Sequence, residues 1–156
     1  MRSSNRGVTL IEMMMVVAIV GLIAGISFPS VTSGIDSLRL ASASDSIVSF
    51  FNAGLNRAGR RQHLVEIAVS KSERSLTMRS SEPGFLRKME LPEGVTIVSI
   101  LPESQDENET GRSFVLYPGG GVPRFGLELA NRRGTRRIVR VDPITGVPQI
   151  ERVEGQ

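Results

Sequence analysis

From Val8 to Phe28 the chain is almost wholly apolar, and Glu12 is the only ionisable residue in the run. At about 1.5 Å per residue a helix over this run is roughly 30 Å long. That length covers the hydrocarbon core of a bilayer. Arg2 and Arg6 stand before the run and no acidic residue does. The excess of positive charge predicts a cytoplasmic N-terminus and a C-terminal part on the far side of the membrane. Pro29 follows directly, where it ends or kinks the helix or marks its exit from the membrane.

A basic start and an apolar stretch also describe an ordinary secretory signal. Such a signal is cut after its apolar core, and Ala24, Gly25 and Ser27 offer only a weak site there. Glu12 separates the two readings. A carboxylate inside a membrane helix costs up to about 2.5–3.5 kcal/mol, less near the interface, so it calls for a partner. The alternative is a plain signal anchor with Glu12 snorkelling to the interface. Gly21 and Gly25 form a G-x-x-x-G, with Ala18 and Ala24 nearby. Small residues at that spacing let helix backbones approach closely, although the spacing is common in apolar helices.

The stretch Gly7-Val8-Thr9-Leu10-Ile11-Glu12 resembles the type IV prepilin motif. The resemblance implies that a membrane aspartyl peptidase cuts between Gly7 and Val8 on the cytoplasmic side, and that Val8 is then N-methylated. The family usually begins its mature chain with Phe, and Val8 departs from this. Glu12 becomes the fifth mature residue and an assembly residue. Its carboxylate can neutralise the new amine of this or a neighbouring subunit. Desolvation offsets much of that attraction, so the pair sets register more than it adds stability. Pro29 falls where pilin-like proteins commonly carry a helix-kinking proline.

Beyond Pro29, Val31, Ile35, Leu38, Ala41, Val48, Phe51, Leu55 and Ala58 recur at helical spacing, predicting one apolar stripe. Gly59 and Arg60-Arg61 suggest a helix end near residue 60. The pattern then turns to short β-like runs: 64–70, 75–79, 85–91, 95–101, 113–117, 125–130, 137–141 and 149–153. Turn signals separate them, among them Glu82-Pro83-Gly84, Pro92-Glu93-Gly94, the Pro118–Gly121 segment and Thr145-Gly146. The polar stretch 103–111 reads as an exposed loop. The expected fold class is α+β: a long N-terminal transmembrane helix that continues into a soluble domain of antiparallel β-sheet. Without the apolar run roughly 125 residues remain, enough to bury a core without staples. The chain has no cysteine, which excludes disulfides and cysteine-based metal or catalytic sites.

The C-terminal half, with Ser113 to Gly120, Phe125 to Leu129, Arg137 to Val141 and Thr145-Gly146-Val147, resembles the soluble domain of GspH/FimT-type minor pilins. Together the two resemblances imply a pilin-like fold with a leader at 1–7, a transmembrane and filament-core helix at 8–29, and a periplasmic domain at 30–156. They imply a minor pseudopilin of type II secretion, anchored in the inner membrane and joining the tip of a short filament. Its partners would be other pseudopilins, the prepilin peptidase, the inner-membrane assembly platform and membrane lipid. The alternatives are a FimT-like minor pilin of type IV pili, with or without DNA binding, and a signal-anchored periplasmic enzyme.

No catalytic constellation stands out. His63 is the only histidine and no nucleophile motif surrounds any serine. Gly119-Gly120-Gly121 lacks the Lys-Ser/Thr of a phosphate loop and reads as a turn. Asp106, Glu107 and Glu109 lack the ordered spacing of a calcium loop. No cofactor or metal is expected. The remaining candidate is basic: Arg132, Arg133, Arg136, Arg137 and Arg140. Strand alternation places Arg136 and Arg140 on one face, opposite Val139 and Val141. Arginine suits phosphate contact, but aromatic interleaving and the Gly-Arg-x-Arg pattern of DNA-binding relatives are absent. Ion pairs to Glu128, Asp142 or a neighbouring subunit are the competing reading.

Overall fold

The structure is a computed structural model that describes residues 8–104, 106 and 109–153, with the side chains of 26–33 left out. The chain divides into two compact units, Met1–Ile35 and Asp36–Gln156. Helix α1 runs over Leu10–Arg61. It passes through Pro29, so the proline does not end it. Among the described residues no helix is long and apolar enough to cross a membrane; the side chains of the apolar run are described only as far as Gly25.

Eight strands follow: β1 (Val65–Ser70), β2 (Ser75–Ser80), β3 (Leu86–Glu90), β4 (Val95–Leu101), β5 (Gly111–Leu116), β6 (Gly126–Asn131), β7 (Arg136–Val141) and β8 (Pro148–Val153). They form two antiparallel four-stranded sheets. The first has the order β3-β2-β1-β5 and the second β4-β6-β7-β8. An α-helix followed by antiparallel sheets is the expected α+β layout.

Within the unit Asp36–Gln156 one core joins helix and sheets. The helix contributes Leu40, Ala43, Ile47, Phe50, Phe51 and Ala58. Sheet one turns Val65, Ile67, Val69, Leu76, Met78 and Leu116 inward, at alternate strand positions. Sheet two adds Val95, Leu127, Leu129, Val139 and Val141. Three rings link the layers. Phe125 meets Phe51 edge-on at 4.8 Å between centroids and stacks on Phe114 at 4.9 Å. Gly54 lets the helix come close to sheet one: a Cβ there would lie 3.1 Å from Ile67 Cδ1 and 3.2 Å from Met78 Cε.

The predicted helix stripe holds at Phe51 and Ala58, which are buried, but is out of phase at its start. Leu38 is 70% exposed and Ile35 also lies on the surface. The buried line runs through Leu40, Ile47, Gly54 and Ala58, and Ala41, Val48 and Leu55 flank it half-buried. Val31 lies outside the described side chains. The helix ends at Arg61, as expected near residue 60. Gln62 takes the left-handed conformation, with φ of 55°, and its side-chain amide donates to the Gly59 carbonyl at 2.7 Å.

Candidate functional site

The N-terminal segment is organised by Thr9. Its hydroxyl accepts the Glu12 amide at 3.3 Å and its carbonyl accepts the Met13 amide at 3.2 Å. Thr9 is therefore the helix N-cap, and Glu12 sits three residues on, in the first turn. Threonine followed three residues later by glutamate is the capping-box pattern. The positive end of the helix dipole also favours a carboxylate there. The assembly reading of Glu12 made no use of this local role, although the Thr-x-x-Glu spacing was legible. Gly7 lies outside the described residues. Val8, Leu10 and the apolar side chains on to Ile23 are exposed in the single chain. Gly21 and Gly25 have open space where a Cβ would sit. Pro29 is helical, and its side chain is among those left out.

The arginines occupy the second sheet and its turns. Arg136 and Arg140 share the outer face of β7, and Val139 and Val141 are buried on the other, as alternation predicted. These arginines do not form an open cationic patch. Arg136 donates to Glu128 at 2.9 Å, and Ser99 donates to the other oxygen of the same carboxylate at 3.0 Å. Arg140 holds both oxygens of Glu151. Arg132 pairs with Glu93, and Arg133 lies 3.8 Å from Asp36. Arg137 has no ion pair among the described residues; it lies across the ladder from Arg152. Glu128 was the partner expected from sequence, whereas Glu93, Asp36 and Glu151 were missed.

Asp142 is not an arginine partner, which corrects the expectation. Its carboxylate accepts the amides of Ile144 at 2.7 Å and Thr145 at 3.1 Å, and so it builds the β7–β8 turn. The Thr145 and Ile144 amides hold its carboxyl below the usual 3.8. The turn closes with Gly146 at a φ of +69°, where its amide donates to the Asp142 carbonyl at 2.8 Å.

The other candidates read as structure. His63 Nδ1 lies 3.4 Å from the Ser81 hydroxyl, at the end of α1. The Gly119–Gly121 segment is a turn, with the Gly120 amide on the Tyr117 carbonyl. In the acidic loop Glu109 is folded onto Arg112 rather than left to solvent. Among the described residues no group of histidines or carboxylates could hold a metal ion.

Residues 2–28 match the prokaryotic N-terminal methylation motif. The matched segment holds Gly7, Val8 and Glu12 and ends at Phe28, the last residue of the apolar run. It is the type IV pilin-like prepilin signal, the mark of membrane-anchored prepilin-type proteins. The chain has no significant match among the curated proteins or the solved structures.

Proposed function

We propose that this chain is a non-enzymatic structural subunit, a GspH-like minor pseudopilin of a type II secretion pseudopilus. The single observation that carries the reading is the methylation motif over residues 2–28, which takes in the cap and first turns of a helix that leads to two antiparallel sheets. In this reading the chain enters the inner membrane with its N-terminus in the cytoplasm and its C-terminal domain in the periplasm. Cleavage after Gly7 frees the Val8 amine, which is methylated. The chain then joins a filament through the apolar helix, and Glu12 sets register against a neighbouring amine. Close helix approach at Gly21 and Gly25 supports that packing. The ion pairs on Arg132, Arg133, Arg136 and Arg140 speak against the DNA-binding alternative.

Mass spectrometry of the N-terminus, from cells that carry a prepilin peptidase, tests the reading. The expected product begins at N-methylated Val8. Intact Met1, or a cut after the apolar run, overturns it. Finding genes for secretion components beside this one would favour the secretion system, and finding pilus-assembly genes would favour the pilus alternative.

A further inference from the structure

At one end of the unit Asp36–Gln156 the carboxylates run out before the arginines do. Asp36 on α1 meets Arg133 in the turn between β6 and β7, and Glu93 meets Arg132 in the same turn. Glu128 holds Arg136. Arg137 and Arg152 are left over, and they face each other across the β7–β8 ladder. Neither has a hydrogen bond or ion pair among the described residues. Leu129 is next in their row and is buried, so the two arginines continue the core face at its rim. Like charges directly opposite on a sheet are destabilising. An anion between them reverses that, because each guanidinium can hold phosphate oxygens through paired hydrogen bonds.

The helix adds two more groups at this end. Leu38 and Arg39 lie within one turn of Asp36. Leu38 is 70% exposed, and Arg39 is exposed with no ion pair among the described residues. Apolar side chains set beside arginines are the composition of a surface that rests on a headgroup layer. This end is also the tethered one. Asp36 follows Phe28, the last residue of the apolar run, by eight residues. Eight residues span at most about 28 Å however the chain bends. A bilayer that holds the apolar run therefore has its headgroups within reach of this end. The other end of the helix in this unit, at Arg60, is about 36 Å farther along the axis.

We propose that this end of the unit docks on anionic headgroups of the bilayer that anchors the chain, with lipid phosphate on Arg137 and Arg152 and Leu38 at the headgroup–acyl boundary. The bilayer as partner rests on the membrane-anchored reading of the methylation motif; the opposed arginines do not.

The test uses the full chain, isotope-labelled, in lipid nanodiscs that carry a paramagnetic label on their headgroups. One set holds phosphatidylcholine alone and the other adds phosphatidylglycerol. The expected result is broadening of the amides of 131–137 and 149–153 in the anionic discs and little in the neutral ones. Each arginine at an anionic surface changes the docked population by about fivefold. Arg137→Gln with Arg152→Gln should therefore lower it by more than about tenfold. Arg60→Gln with Arg79→Gln removes the same charge elsewhere and should leave it unchanged. Equal broadening in the two kinds of disc, or equal loss in the two double variants, overturns the proposal. So does broadening that follows the number of chains per disc, which would make a second copy the occupant. So do shifts of these amides with duplex DNA while anionic lipid leaves them unmoved. A chain that stays out of both kinds of disc sinks the anchor reading; insertion into both with equal broadening sinks this proposal alone.

Discussion

Replacing Gly126 by alanine tests how closely the second sheet is built around this position. A Cβ there would lie 2.7 Å from the Val139 carbonyl oxygen, 2.8 Å from Arg140 Cβ and 2.9 Å from Arg140 Cα. Carbon contacts are comfortable at roughly 3.5–4.0 Å, so β6 and β7 must part by about 0.5–1 Å. No side chain can swing aside, because the obstacles are the backbone of β7 and the root of its side chain. Forcing an extra methyl into such a site costs about 1–3 kcal/mol. Removing a glycine from a strand returns roughly 0.5–1 kcal/mol. The expected net loss is therefore about 1–2 kcal/mol, or a fall of several degrees in midpoint for a domain of this size. Gly54→Ala supplies the contrast. Its neighbours, Ile67 Cδ1, Met78 Cε and Leu116 Cδ1, are 3.1–3.4 Å away and are all ends of flexible side chains. A helix gains about 1 kcal/mol from that exchange, so Gly54→Ala should be neutral or mildly stabilising. Urea titrations of the full chain in detergent, followed by far-ultraviolet circular dichroism, give both values. A wild-type midpoint for Gly126→Ala, or a larger loss for Gly54→Ala than for Gly126→Ala, would refute the reasoning.

Phe51 is fully buried and meets Phe125 at the junction of helix and sheets, so Phe51→Ala should cost about 3–5 kcal/mol in the same titration; a cost below about 1 kcal/mol would show that the three rings do not hold the layers together. Asp142 has a carboxyl lowered by the Thr145 and Ile144 amides. Its contribution is present above the ordinary 3.8 and is lost as pH falls through the lowered value. Amide chemical shifts of Ile144 and Thr145 should move with one acid transition below 3.8, and Asp142→Asn should abolish it. A transition above that value, or one that survives in the variant, contradicts the turn-building role.

Several strands were legible because they bury alternate residues on one face. In β1 the buried Val65, Ile67 and Val69 alternate with half-buried partners, and the pattern can be read directly from the letters. The bounds of β4 are Val95–Leu101 in both readings, although its buried face shifts from Val95 and Ile97 to Ile100 across an irregularity between Ile97 and Ser99. The helix face was harder. Around Leu38-Arg39-Leu40-Ala41-Ser42-Ala43-Ser44 small residues blur the period, and both leucines fit a stripe. Burial chose Leu40, which shares a face with Ile47 and Gly54. Gly54 gave no apolar signal because it has no side chain, although it is buried against Ile67, Met78 and Leu116. Strand order stayed out of reach, since nothing local in β4 says that it pairs with β6 rather than with β5.

The site divides along the same line. What depends on neighbours in sequence lies in one local stretch, and the motif match over residues 2–28 takes in Gly7, Val8 and Glu12. Even the overlooked cap, Thr9 to Glu12, is a local spacing. What depends on tertiary pairing was readable only in part: Glu128 was expected as an arginine partner and the others were not. Five arginines close together suggested a cationic surface, yet Arg132 finds Glu93 from the turn before β4, and Arg133 finds Asp36 on the helix. Arg140 finds Glu151 only because β7 and β8 pair in a register that puts them on one face. A cluster counted along the chain overstates positive charge whenever the carboxylates that meet it come from other elements. Arg124 shows the converse. It stands apart from the cluster in sequence, and like Arg137 within the cluster it has no ion pair among the described residues. On this protein the surface charge available to a partner is set by strand register more than by local composition.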